Sequence, residues 1–252
     1  MRITMALPKL TTPSFTTTLP DTKTVVEFRP WLVGDKKALL IAMQADDKDQ
    51  LRRTIFDVLG KCILTPGVDV GKLPAVDVSW LMMHVRMRSD SDVIELALQI
   101  KDCTQKPDCV RRVKVDLNEV VVKFHPDHTS KIALTDTIGL KMRAPTLNEA
   151  QTYFALADTD KSADPEGIVQ LYFDVIAMCI DSVFDGDEVT MASDVSPADL
   201  RDFISSMTDQ QFSKIETFFK TMPALHHKIE TVCKDCGRKI EYELNGLTDF
   251  FG

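Results

Sequence analysis

Several things are scarce in this sequence, and each scarcity closes a class of function. No apolar run approaches the roughly 18 residues that a membrane-crossing helix needs, and the opening MRITMALPKLTTPSFTTTLP is too broken by proline and threonine to be a signal-peptide core. The expectation is a soluble intracellular protein with no membrane partner. Positive charge is also in short supply: 30 Lys and Arg against 38 Asp and Glu leave a net charge of −8, and no stretch concentrates the cations. Affinity for a phosphate backbone comes from clustered Lys and Arg, so no nucleic-acid partner is expected. Glycine is rare, 10 in 252 residues, and there is no phosphate-cradling glycine loop, no G-x-S-x-G elbow and no H-E-x-x-H helix. Nothing in the sequence nominates catalytic residues or a small-molecule substrate, and an enzyme using the acidic loops stays open as a third alternative. Six cysteines are too few for a secreted disulfide scaffold of this length, which points to free thiols or thiolate ligands in a reducing compartment.

What is present is an ordinary apolar fraction of 44%, enough for a core that needs no staples. Residues 1–23 read as an extended arm: its prolines favour open backbone, and Leu7, Leu10 and Phe15 are spaced along it. Residues 24–145 read as α+β. A short strand in TKTVVEFRPWLV leads to a helix in DKKALLIAMQ and another in DKDQLRRTIFDVLGKCI, whose Leu51, Ile55, Val58, Leu59, Cys62 and Ile63 recur at helical spacing. A further helix in VDVSWLMMHVRMRS has Val78, Leu81, Met82 and Val85 on one face and His84 on the solvated side. The alternating or β-branched runs DVIELALQIKDC, CVRRVKVDLNEVVVKFH and KIALTDTIGLKMRAP follow as antiparallel strands.

Residues 146–223 read as helical. Thr146 and Glu149 have capping-box spacing, PEGIVQLYFDVIAMCIDSVF reads as one apolar helix, Ser196 and Pro197 open another, and Thr208 with Gln211 caps a last one. Residues 224–252 read as a β-hairpin around Cys233-x-x-Cys236, ending in an aromatic tail with Phe250 and Phe251. The fold class expected is thus α+β, with N-terminal helices and an antiparallel sheet, then a helical region, then the C-terminal hairpin.

Two constellations bear on chemistry. DTDKSADPEG imitates the start of a calcium-binding loop through Asp158, Asp160 and Ser162, but Ala163 stands where glycine must turn and Val169 where a bidentate Glu must close the site. A solvated acidic loop is the better reading. The stronger signal is the pair Cys233 and Cys236 with Gly237 behind it, the spacing of a knuckle that aims two thiolates at one ion. Two sulfurs do not saturate a tetrahedral structural site. Cys103 and Cys109 lie on another hairpin turn at looser spacing, and if the two hairpins meet, the four sulfurs make a structural zinc site. Reduced thiols without metal, a redox pair, or a contribution from His125 or His128 stand as alternatives. Cys179, inside an apolar run, reads as core.

Taken in order, LPKLTTPSFTTTLPDTKTVVEFRPWLVGDKKALLIAM, LPAVDVSWLMMHVRMRS, ALTDTIGLKMRAPT and KIETFFKTMPALHHKIETVCKDCGRKIEYELNGLTDFF resemble the baseplate hub protein family of T-even-type contractile-tailed bacteriophages. The resemblance covers nearly the whole chain. It implies a non-enzymatic protein of hub assembly, structural subunit or chaperone, with other hub and tail proteins as partners, present in the host cytoplasm during assembly and in the virion tail baseplate. It also implies Cys-x-x-Cys pairs on both hairpins. Cys233 and Cys236 fit, whereas Cys103 and Cys109 depart in spacing. For a hub protein, Leu7, Leu10 and Phe15 of the arm and Phe250 and Phe251 of the tail are the expected partner contacts. A cellular zinc-hairpin module that binds another protein is the competing expectation.

Overall fold

The structure is a computed structural model, and it describes residues 10–45, 48–100, 109–150 and 165–246. Helices and strands are mixed along the chain and every strand pair is antiparallel, so the fold is α+β. Among the described residues the strands form four small sheets, each packed on helices or on another sheet.

The N-terminal layer is organised by one buried helix. Strands β1 (Phe15–Thr18) and β2 (Val25–Phe28) form a hairpin, followed by α1 (Val33–Gln44), α2 (Lys48–Cys62) and α3 (Ala75–Ser89). The helical spacing in α2 places Val58, Leu59 and Cys62 in a cluster with Leu19, Val26, Phe28 and the Val78, Leu81, Met82, Val85 face of α3. Asp77, fully buried on α3, accepts hydrogen bonds from the Asp21 amide (2.7 Å), the Thr22 amide (3.0 Å) and the Thr22 hydroxyl (2.7 Å). A buried carboxylate satisfied three ways pins the β1–β2 turn to the helix. His84 is not solvated as its helical position suggested. Its ring lies 4.6 Å from Trp80, and burial, with Arg88 adding to it, lowers its pKa to about 4.

The other side of α3 carries Met83 and Met87, one turn apart. They pack against the long hairpin of β3 (Val93–Ile100) and β4 (Cys109–Asp116) and against a three-stranded sheet ordered β11-β10-β5. That sheet joins β5 (Val121–Lys123) to β10 (Ala224–Val232) and β11 (Lys239–Asn245), strands a hundred residues away in sequence. Hydrogen bonding therefore crosses the sequence blocks.

The remaining sheet, ordered β6-β7-β8-β9, does so too. It contains β6 (Lys131–Ala133), β7 (Ile138–Met142), β8 (Ile180–Asp185) and β9 (Glu188–Met191). Helices α4 (Pro165–Met178), α5 (Pro197–Ser205) and α6 (Asp209–Lys220) cover one face, where Ile132, Leu140 and Ile180 meet Ile176, Leu200, Ile204, Ile215 and Phe218. The single helix expected over PEGIVQLYFDVIAMCIDSVF is corrected here: α4 stops at Met178 and the rest is strand. The apolar run is continuous because helix and strand are both buried, so periodicity does not mark the change. Gly186 at φ +58° makes the two-residue turn to β9, and Gly186-Asp187 is the local hairpin signal in the sequence. The caps stand where the sequence places them. The Ser196 hydroxyl accepts from the Asp199 amide, and Thr208 and Gln211 cap α6 reciprocally.

Candidate metal centre

Two hairpins end at the same corner. In one, Cys109 opens β4 opposite Ile100, the last pair of the β3–β4 ladder. In the other, the β10–β11 ladder closes at Val232 and Lys239, and residues 233–238 form a tight knuckle. The Cys233 amide donates to the Arg238 carbonyl, the Gly237 amide donates to the Cys233 carbonyl, and Gly237 takes φ +71°, which a residue with a side chain adopts only with strain. Cys109 Sγ and Cys233 Sγ stand 3.5 Å apart. Cys109 Sγ also lies 3.5 Å from a carboxylate oxygen of Asp235, and the ligand atoms of these three residues all fall within 4.8 Å of one another. Ile100 is buried with Cys109 and Cys233, while Cys236 and Ile240 pack partly exposed at the rim.

The corner is electrostatically prepared for an anionic sulfur. The Cys233 thiol is lowered to about 7, first because the Cys236 backbone amide donates to its sulfur; burial opposes this, and the Asp235 amide and the side chains of Cys236 and Cys109 assist. Amides converging on sulfur stabilise a thiolate without a counter-ion. The two sulfurs also suit one ion: ligands at about 2.3 Å from a tetrahedral zinc are about 3.8 Å from each other, close to the separation seen. Cys109, Cys233 and Asp235 thus form a cluster that can hold a metal ion.

Of the sequence-chosen ligands, Cys109, Cys233 and Cys236 gather at this corner, and Cys103 lies outside the described residues. Sequence reasoning missed Asp235, although it sits between the two knuckle cysteines. His125 is an exposed turn residue beside Asp127, and His128 stacks on Phe218 and hydrogen-bonds Thr221; neither is a member of the cluster. The other buried thiols, Cys62 and Cys179, are pushed up by burial to about 11 and about 12 and are core residues. Leu7, Phe250, Phe251 and most of the calcium-like loop lie outside the described residues. Leu10 is 94% exposed, whereas the Phe15 ring lies tilted with its centroid 6.0 Å from that of Phe28, under the Arg88 guanidinium.

A family model described as T4 bacteriophage base plate protein matches residues 12–252 of the chain. No curated protein and no solved structure matches it.

Proposed function

The chain belongs to the T4 bacteriophage base plate protein family, and on that footing we propose that it acts in building the hub at the centre of the baseplate, as a structural subunit or an assembly chaperone. It does so through contacts with other hub and tail proteins and without catalysis, in the host cytoplasm and then at the tail. The family match carries this reading, since it takes in the N-terminal hairpin, the helical layer and the knuckle together. The test is quantitative mass spectrometry across a density gradient of infected-cell lysate. Fixed stoichiometry in completed tails identifies a subunit, presence only in early hub complexes identifies a chaperone, and absence from both overturns the reading.

The contacts are assigned to the two ends. Leu7 and Leu10 belong to an arm tied to the fold at Phe15, and Phe250 with Phe251 supplies an aromatic anchor of the kind that dominates interfaces. Because Leu19 is wholly buried, the informative truncation removes residues 1–9 and not the whole arm. Loss of hub-partner capture with an unchanged circular dichroism spectrum is expected. The same result is expected from alanine at both phenylalanines, and full capture by both variants would sink the assignment.

The ion is zinc in this reading, held by Cys109, Cys233, Cys236 and Cys103, with the knuckle fixing the C-terminal hairpin on the β3–β4 hairpin. Elemental analysis of protein purified without chelator should give one zinc per chain. Cys103→Ser and Asp235→Asn distinguish the fourth ligand, because only the true ligand's loss weakens zinc retention.

A further inference from the structure

The two edges of the four-stranded sheet are finished differently. At β6 the outer carbonyls are taken: Lys214 Nζ donates to Ala133 (2.6 Å) and the Thr129 hydroxyl to Lys131 (3.2 Å), and just past the strand Gln211 Nε2 donates to Leu134 (3.4 Å), so α6 and Thr129 blunt that edge. At β9 all four residues are exposed, and among the described residues the strand pairs with β8 alone. The two-residue turn makes Asp185 and Glu188 a hydrogen-bonded pair, and alternation makes Val183 and Thr190 the next. The amide and carbonyl groups of Val189 and Met191 therefore point away from the sheet.

Beside this bare edge lies an apolar groove. The helices cover only the Ile132 and Leu140 face, and on the opposite face Ser182, Phe184, Val189 and Met191 line a depression of about 360 Å³. Phe184 lies across Gly139, where a Cβ would run into its ring and the Ile132 carbonyl, and the Lys131 ammonium sits 4.7 Å from the ring centroid. Val189 is 62% and Met191 43% exposed. Unpaired backbone next to pockets for alternate side chains is what strand addition uses.

We propose that β9 receives an added strand, and that the strand is residues 2–8 of a second copy of this chain. Ile3, Met5 and Leu7 alternate with Thr4 and Ala6, so one face of the extended segment is apolar and matches the groove, and Pro8 ends the strand. Charge agrees. Arg2 opens the segment, Lys9 follows it and no acidic residue precedes Asp21; Asp185, Asp187 and Glu188 stand at the turn end of β8 and β9, while the lysines of the groove, Lys131 and Lys141, lie on the strands beyond β8. The segment joins the described chain at Leu10, which is exposed beside a hairpin that packs on α3, and sedimentation separates delivery to another copy from pairing with the chain's own edge. Arms exchanged reciprocally close a two-fold dimer, and arms passed from one copy to the next join copies into a ring or an open chain. The inference rests on the reading of the arm as the segment that engages another molecule.

The test uses the chain lacking residues 1–9, titrated with a fluorescent peptide of residues 1–10, together with sedimentation of the full chain. Saturable binding that weakens with added salt is expected, falling at least about tenfold in Val189→Pro and in Met191→Lys. The proline removes only an outward amide and the lysine adds like charge, so both variants should keep the parent's melting temperature. The full chain should self-associate, and the truncated chain should not. Absent peptide binding, or binding undiminished in both variants, overturns the proposal. So does a full chain that stays monomeric with its amides in residues 2–8 protected from hydrogen exchange, which means the arm occupies its own edge. If these variants self-associate normally while loss of residues 1–9 still abolishes hub-partner capture, the β9 inference falls and the arm's proposed role stands.

Discussion

Cys179 and Cys233 are equally hidden from solvent, yet they sit in regions built on opposite principles. Around Cys179, three helices and a sheet face interlock large apolar side chains, and hydrocarbon burial drives the thiol up to about 12. Around Cys233, the described residues of the cluster are Ile100, Cys109, Cys236 and Ile240, and backbone amides pull the thiol down to about 7. One region interlocks hydrocarbon, and the described part of the other brings together ligand atoms of Cys109, Cys233 and Asp235. The contrast shows that burial alone does not set the chemistry of a cysteine; what the surrounding backbone offers decides it.

The comparison breaks most visibly when the volume is removed. Phe218→Ala should cost about 3–5 kcal/mol in urea unfolding, as for other buried phenylalanines, with zinc content unchanged; a loss of zinc as well would show that the two regions are not independent. Next in size, on the proposal that the corner holds zinc, a strong chelator should lower stability by about 2–4 kcal/mol, the scale of an ion held at hundreds of times its dissociation constant. Hydrogen-exchange protection should then fall around residues 231–240 and at the start of β4, but not in α4 or α6. Cys233→Ser should reproduce this and remove the chelator response. A smaller effect, about 1–3 kcal/mol, is expected for Gly139→Ala, because the added methyl meets the Ile132 backbone as well as a ring.

The smallest effect sharpens the comparison with a base in place of a thiol. Burial raises a thiol and lowers an imidazole, and His84 is held to about 4 against an ordinary 6.5. The unfolded chain takes up a proton near 6.5 and the folded chain only near 4, so stability should be level above that window and fall as the pH drops through it. The loss is about 1–2 kcal/mol once partial exposure is discounted. Thermal melts of His84→Leu should lose this slope, and an unchanged slope would assign it to other groups.

Much of this was legible in the sequence, for identifiable reasons. The caps at Ser196 and Thr208, the apolar faces of α2 and α3 and the alternating β3–β4 hairpin are local signals, each confined to one turn or one period. The boundary between α4 and β8 was hidden because both elements are buried and the apolar run carries no period change. His84 was misread because α3 is covered on more than one side, which a single helical face does not announce. The union of Cys109 with the knuckle depends on contact between residues 124 apart in sequence, and spacing alone left it open. Asp235 was overlooked because a carboxylate between two cysteines looks like solvated turn filler until its oxygen is seen beside a sulfur.

The packing of Leu225, Ile229 and Leu244 beneath Met83 and Met87 has a consequence for how the chain is made. During synthesis α3 and the β3–β4 hairpin emerge long before β10 and β11 exist, so the part of this cluster that the last two strands cover stays open until they arrive. Contacts this distant in sequence form slowly and leave apolar surface exposed meanwhile. The last strands are thus the latch that closes this part of the core.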